Sequence, residues 1–313
     1  MNAAATLAHF VSLARRIPLR PPALLAAVFV GLLAAGGLAA AAPADESLHP
    51  LWELHGKRNT VYLLGSIHVL RPSDYPLSSP VLDAYARARA LVMEVDLEEL
   101  TAHQTQAELL AGASLPEGKT LPTVLGAERY ARAETLAREL GVQLSAFDGF
   151  APWFAAEAIS QMQLTQLGFK PESGVEMYFL DRAHHDGKSV TGLETVHDQL
   201  ALFEGMSLDT QGDYLLASLA EAHDLPAQVD TMVQAWRHGD TRWFESELKS
   251  EFGNDSRLYQ AFLGTRNRKW LPKIEALLGE DRNYLVIVGT GHLVGPGSVI
   301  DLLKKDGIDA AQR

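Results

Sequence analysis

The chain has 313 residues, no cysteine and a formal net charge of −12 at pH 7. The lack of cysteine excludes disulfides, thiolate nucleophiles and thiolate metal sites, so any metal would need histidine and carboxylate ligands. The negative charge argues against nucleic acid and against an anionic membrane surface as partners.

The first 44 residues predict a signal peptide. Three arginines precede an uncharged apolar run over 23–42, and an Ala-Pro-Ala sequence that suits cleavage ends at Ala44. A run of about 20 apolar residues is also long enough to span a membrane, so an uncleaved anchor is the alternative. We therefore expect a protein of the periplasm or cell envelope whose mature part is one domain, residues 45–313.

Within the mature part, strands and helices alternate at both ends and helices fill the middle. The first two predicted strands form a hairpin around a Gly-Lys-Arg-Asn turn. The predicted strands are 51–55, 60–65, 90–96, 188–194 and 284–288. The predicted helices are 79–89, 97–111, 126–140, 151–168, 173–187, 195–206, 211–223, 226–238, 240–251, 255–278 and 298–305. This order predicts an α/β fold, a mixed but mainly parallel sheet flanked by helices, with a large helical insertion over 195–278.

Two of these strands are followed by the same short pattern. Gly65 and Gly289 each end an apolar strand, and His68 and His292 each follow three residues later. Ligands bind at the carboxyl ends of parallel strands, and a glycine lets the backbone turn sharply there. We expect the two histidines to converge on one site, although a single histidine after a strand is usually a turn or core residue.

Two glutamates near strand ends, Glu94 and Glu194, are candidates for the same site, each with a structural alternative. Glu94 lies in the apolar run LVMEVD and would need a buried partner, unless that strand is an exposed edge. Glu194 ends another strand and could instead cap the following helix. Glu176 could be part of a capping box with Ser173.

Several known chemistries are absent from the sequence. It contains no His-Glu-x-x-His and no Gly-x-Ser-x-Gly motif, and too few residues follow GTGHLVG for a dinucleotide-binding unit. A histidine–carboxylate cluster remains, which can bind a divalent metal that activates water or can act as a general acid and base without metal. The hypotheses are an exported metal-dependent hydrolase, a non-catalytic binder of a peptide or polymer precursor, and a metal-independent esterase.

The motifs LLGSIHVL, VMEVD, SGVE, GLET, RN..W and VIVGTGHLVG, in this order, resemble the TraB/GumN family. That family is related to the Tiki proteins, which are membrane-anchored metalloproteases. The resemblance covers about residues 50–309 and implies a fold akin to the erythromycin-esterase and ChaN-like group. It implies manganese or a similar ion as the cofactor.

The resemblance also implies roles for individual residues. Catalytic and metal-binding roles are expected for His68, His292, Glu94 and Glu176. A substrate-binding role is expected for Arg266, Asn267, Gln199 and Glu194, and a structural role for Gly65, Gly289 and Gly291. The substrate is expected to be a peptide or another small molecule.

Overall fold

The computed structural model describes residues 48–96, 103–252 and 259–313, and in 103–106 only the backbone. The predicted signal peptide lies outside these residues, as do the starts of the helices predicted over 97–111 and 255–278. None of the helices in the described ranges is long and apolar enough to cross a membrane.

The described part of the chain contains a six-stranded mixed sheet. Its strands have the order β4-β3-β5-β2-β1-β6. They are β1 Leu51–His55, β2 Thr60–Ser66, β3 Ala90–Val95, β4 Ser189–Glu194, β5 Tyr284–Gly289 and β6 Ala311–Gln312. The pairs β4/β3, β3/β5 and β5/β2 are parallel, whereas β1 pairs antiparallel with β2 and β6. Four neighbouring parallel strands therefore end at one edge of the sheet.

The composition of the strands explains their positions. The sequences VYLL in β2, ALVM in β3 and YLVIV in β5 are almost entirely apolar and are buried. Such continuous apolar runs are typical of parallel strands that are covered on both faces. In β4, the sequence SVTGLE is mostly exposed, in keeping with its place at the edge of the sheet.

Parallel strands need long crossover connections, which helices provide here. The helices are α1 Ser79–Arg87, α2 His103–Ala113, α3 Leu121–Glu139, α4 Pro152–Gln166, α5 Val175–Asp186, α6 Val196–Glu204, α7 Leu208–Glu221, α8 Leu225–Arg237, α9 Thr241–Phe252, α10 Thr265–Leu277 and α11 Val299–Lys305. A π-helical turn, Gln260–Gly264, immediately precedes α10. Short 3-10 turns include Pro171–Ser173 before α5 and Thr290–His292 after β5.

The chain divides into two compact units. The helical unit comprises residues 103–171 and 197–225, and its helices α4 and α7 pack together. The sheet unit comprises 48–96, 172–196, 226–252 and 259–313. The predicted helical insertion over 195–278 is thus divided: its first part belongs to the helical unit and its second part, from residue 226, to the sheet unit.

The predicted fold class, a mixed and mainly parallel sheet flanked by helices, is confirmed. The short strand β6 was not predicted, because two residues carry no periodicity that could be recognised. It forms through its partners, since Ala311 pairs with Glu53 and Gln312 with Trp52.

Candidate functional site

The candidate site lies at the carboxyl ends of the four parallel strands. His68 follows β2, Glu94 lies near the end of β3, Glu194 ends β4, and His292 follows β5. The register places Ser66 of β2 opposite Gly289 of β5, so the two Gly-x-x-His segments start side by side. The structure thus brings together four residues that the sequence separates by up to 224 positions.

The two strand-ending glycines are needed because neighbouring atoms come very close. A Cβ atom on Gly65 would lie 2.9 Å from Thr290 Oγ1 and 3.2 Å from Thr290 Cα. These distances are shorter than ordinary carbon contacts. The Thr290 hydroxyl donates a hydrogen bond to the carbonyl of Ser66 at 3.0 Å, which links the two segments. Gly65 therefore permits the close approach of the loop after β5.

His68 is oriented by Glu176. Its Nδ1 lies 2.7 Å from Glu176 Oε1, and the Ser66 hydroxyl donates to the same oxygen. Glu176 stands in the first turn of α5, where the N-terminus of a helix favours a negative charge. The cap of this helix is Gly174 and it makes no side-chain cap bond, so Glu176 does not act as a capping-box partner of Ser173. Its partner is the histidine.

His292 is held by a different network. Asn267 Nδ2 donates to the carbonyl of Gly297 at 2.9 Å, so its Oδ1 is an acceptor. His292 Nδ1, 2.6 Å from that oxygen, must then carry the proton of the neutral ring. The other nitrogen, Nε2, accepts a hydrogen bond from Arg266 Nη1 at 3.0 Å. This assignment of the tautomer follows from the hydrogen bonds around the ring.

Arg266 connects the carboxylates with His292. Its Nη2 donates to Glu94 Oε2 at 2.5 Å and to Glu194 Oε1 at 2.6 Å, and its Nε donates to Glu194 at 3.0 Å. Its Nη1 donates to the Phe262 carbonyl at 3.1 Å as well as to His292. A guanidinium has five N–H groups. All five are thus directed at protein acceptors.

The aromatic ring of Trp270 completes this side of the site. Its indole nitrogen donates to Glu194 Oε2 at 3.0 Å, and its ring centroid lies 4.4 Å from that of His292. The guanidinium of Arg266 lies over the same ring, 4.7 Å from the centroid. Glu194 therefore binds the side chains of two residues of α10.

The surroundings raise the pKa of His68 and lower the pKa values of Glu94 and His292. Burial alone would lower the pKa of His68, but Glu176 and Glu94 outweigh it and raise the pKa from 6.5 to about 9. Burial would raise the pKa of Glu94, but Arg266 and the two histidines lower it from 4.5 to about 2. Burial and the positive charge of Arg266 together lower the pKa of His292 from 6.5 to about 3. At neutral pH, His68 is a cation, Glu94 an anion and His292 neutral.

Three of these side chains face one point beside the backbone of β5. A Cβ atom on Gly289 would lie 3.3 Å from Glu94 Oε1, 3.5 Å from His68 Nε2 and 3.8 Å from His292 Cδ2. Since the two ring atoms lie near the same point, the two histidines are close in space. The Gly289 N–H donates to Glu94 Oε1 at 2.7 Å and fixes that oxygen beside this point.

The arrangement does not fit the predicted divalent metal. Within the described ranges, no group of three or more histidine, aspartate and glutamate side chains is placed to hold a metal ion. The reason lies in the donors: His292 Nε2 and Glu94 Oε2 both accept hydrogen bonds from Arg266. A nitrogen lone pair that accepts an N–H cannot bind a metal at the same time.

The other predicted residues have varied positions. Asn267 is fully buried and orients His292. Gly291 has Leu248 at an ordinary contact distance of 3.5 Å from an added Cβ. Gln199 is buried in α6 and belongs to the helical unit. The catalytic, substrate-binding and metal-binding roles that the sequence predicts for the site residues stay predictions.

Sequence reasoning missed two members of the site, Ser66 and Trp270. The signal for Ser66 was its place inside the Gly-x-x-His segment, between the glycine and the histidine. Trp270 stands one helical turn after Arg266, a spacing that places both side chains on the same face of α10.

The fold and the cluster define a mixed α/β protein with histidines, carboxylates and an arginine at the carboxyl ends of its parallel strands. The chain belongs to the TraB/PrgY/gumN family, whose family model matches residues 50–312.

Curated relatives are similar over most of the chain. The uncharacterized protein YbaP is 26% identical over 252 residues, which is 80% of this chain and 90% of the relative, both from Shigella flexneri and from Escherichia coli K12. An uncharacterized protein of Treponema pallidum is 24% identical over 268 residues, 81% of this chain and 80% of the relative. No solved structure matches the chain. The comparisons establish the family and leave its chemistry open.

Proposed function

We propose that the protein is a hydrolase of acyl bonds, with peptides as the favoured substrates, and that its active centre is the space beside Gly289. The observation that carries this proposal is the convergence of His68 Nε2 and Glu94 Oε1 on that space, at 3.5 and 3.3 Å from an added Cβ. A cationic donor and an anionic acceptor that face one small volume are suited to hold a water molecule and a carbonyl group together.

The protonation states assign the roles. With a pKa of about 9, His68 is protonated at neutral pH and can donate from Nε2, while Nδ1 is held by Glu176. In the proposed reaction, this donor stabilises the oxyanion that forms when water adds to the carbonyl carbon, and then protonates the leaving group. Glu94 Oε1 orients the attacking water and accepts its proton as the water adds. After the leaving group has departed with the proton of His68, the proton on Glu94 passes to His68 and restores both groups.

The remaining residues position these two. Ser66 and Glu176 fix the ring of His68, and Arg266 and the Gly289 N–H fix the carboxylate of Glu94. His292 is neutral and buried, with 4% of its side chain exposed, and it supports Arg266. The proposal includes no step at a metal ion. The predicted manganese stays a prediction that the same experiment tests.

The setting in the cell is also part of the proposal. The predicted signal peptide over 1–44 supports export to the envelope, where a peptidase would meet periplasmic or secreted peptides.

The experiment is turnover of a peptide library and a panel of carboxylic esters by purified protein, with added Mn²⁺ in one series and a chelator in another. Glu94→Gln should abolish turnover, and His185→Gln, which alters an exposed histidine of α5, should leave it unchanged. Turnover that survives the chelator supports the metal-free reaction, whereas turnover only with Mn²⁺ would support the predicted metal. Tight binding of a peptide without turnover would identify a binding protein.

A further inference from the structure

We infer that the guanidinium of Arg266 occupies the position of a divalent cation in this cluster, so that the site is closed to metal and becomes a metal site only when Arg266 is removed. The inference does not rest on the proposed hydrolase activity. It rests on the partners of one side chain and on the donor atoms that this side chain covers.

Arg266 supplies the positive charge that two buried carboxylates share. The side chains of Glu94 and Glu194 are 6% and 7% exposed, and both carboxylates bind Arg266, whose side chain is 5% exposed. Buried carboxylates require a nearby positive charge, because the loss of hydration costs several kcal/mol per ion. Arg266 provides that charge between them, which is the electrostatic task of a metal ion bound by carboxylates.

The atoms around Arg266 include a nitrogen and an oxygen that could bind a metal ion together. His292 Nε2 and Glu94 Oε1 lie 3.8 Å apart, close to the separation of two atoms that bind the same ion at about 2.1 Å each. His292 presents the correct tautomer, since its Nδ1 proton is directed to Asn267 and its Nε2 lone pair points into the cluster. A buried second partner on the other ring nitrogen is the usual support of a metal-binding histidine.

Arg266 and a metal ion would compete for the same acceptor atoms of His292 and Glu94. The Nε2 atom of His292 accepts from Arg266 Nη1 at 3.0 Å, and Glu94 Oε2 accepts from Nη2 at 2.5 Å. A metal ion would have to displace both hydrogen bonds and would also stand next to a fixed positive charge. Without the guanidinium, the Nε2 lone pair of His292 and the carboxylate of Glu94 would face each other with no cation between them.

The test is the binding of Mn²⁺ and Co²⁺ to metal-depleted full-length protein, measured by isothermal titration calorimetry. Wild-type protein should show no saturable binding below about 1 mM. Arg266→Met should bind one ion with a Kd at least tenfold below the 1 mM limit expected for wild-type protein, that is, about 0.1 mM or lower. Its Co²⁺ complex should show the visible absorption of a nitrogen-ligated ion. Arg268→Met is the matched control, because Arg268 is exposed on the same helix two residues further on.

Two double variants keep the inference falsifiable. Arg266→Met with His292→Gln should lose the gained affinity, since the Nε2 donor is gone. Arg266→Met with Glu194→Gln removes the second uncompensated carboxylate and protects against failure to fold, which circular dichroism would reveal. The inference is overturned if wild-type protein binds one ion saturably in the micromolar range. It is equally overturned if the folded Arg266 variants bind no more tightly than Arg268→Met; should neither variant fold, the wild-type titration alone decides.

Discussion

The segments 65–68 and 289–292 lie at the ends of neighbouring parallel strands and share the Gly-x-x-His pattern. Their histidines nevertheless have different charge states. His68 is paired with Glu176, one-fifth of its side chain is exposed, and its pKa is raised to about 9. His292 is paired with the amide of Asn267 and the cation of Arg266, and its pKa is lowered to about 3. The partners, and not the motif, decide the charge of each ring.

The comparison also separates two tasks within one site. The first segment presents a charged, partly accessible donor, which suits contact with a substrate. The second holds a neutral, buried ring whose hydrogen bonds join α10 to the end of β5. If this division is correct, changes around His68 should act mainly on activity, whereas changes around His292 and its partners should act mainly on stability.

The largest expected effect is on activity. His68→Gln should lower kcat/KM by about 10² to 10⁴, because the general acid is removed. The measurement is steady-state kinetics on the best substrate of the library, with His185→Gln as the control. A His68→Gln variant with more than half of the wild-type activity would end the proposed role of His68.

The second effect is on stability. Glu94→Ala should lower the free energy of unfolding by about 3–5 kcal/mol, because it breaks a buried ion pair and leaves Arg266 short of a partner. Glu176→Ala should cost about 1–3 kcal/mol, since His68 can lose its proton once the carboxylate is gone. Urea unfolding at pH 7 measures both. Equal losses, or a larger loss for Glu176→Ala, would contradict the division of tasks.

The third effect is a pH dependence of stability with opposite signs for the two histidines. The raised pKa of His68 gives a contribution that is complete below pH 6.5 and is lost as the pH rises through about 9. His292 stays neutral when folded, so the unfolded chain binds the extra proton between pH 6.5 and about 3, and stability falls as the pH falls. The contribution amounts to about 3 kcal/mol at most for His68 and about 5 kcal/mol at most for His292.

Urea midpoints from pH 4.5 to 9.5 test this prediction, since Glu94 titrates mainly below that range. His68→Gln should flatten the alkaline side of the profile and His292→Gln the acidic side. A variant that flattens the other side, or neither, would show that the two rings have been assigned the wrong charge states.

The smallest effect separates the two glycines. Gly65→Ala should destabilise the fold by about 1–3 kcal/mol, because the new Cβ meets the backbone of Thr290 at 3.2 Å. The nearest atoms to the new Cβ in Gly289→Ala belong to side chains, Glu94 Oε1 at 3.3 Å, His68 Nε2 at 3.5 Å and His292 Cδ2 at 3.8 Å, so this variant should cost less stability but more activity. Unfolding and kinetics of the two variants, side by side, measure this exchange. The same ratio of activity to stability loss in both would refute it.

Much of the fold could be predicted because it is built from strong local patterns. The apolar runs of β2, β3 and β5 predict buried strands, Gly65 is the next-to-last residue of β2, and Gly187 marks the end of α5. The helices after residue 195 share one periodicity, so the sequence could not show that those up to 225 form one compact unit with 103–171.

The sequence predicted most of the residues that form the candidate site. It predicted fewer of the hydrogen bonds and ion pairs between them. His68, Glu94, Glu194 and His292 all follow or end strands, and such residues converge once the strands are parallel neighbours. Arg266 and Glu176 came from the resemblance to the family, but their partners did not. Arg266 was expected to bind a substrate, and the structure directs its five N–H groups to acceptors of the protein itself.

By itself, the sequence determined the family, the mainly parallel sheet and the residues at its carboxyl edge, because apolar periodicity and glycine positions are local properties of the chain. Only the tertiary structure decided which histidine carries a proton and which carboxylate holds which cation. Those properties depend on distances of about 3 Å between residues up to 224 positions apart, and on their burial from water.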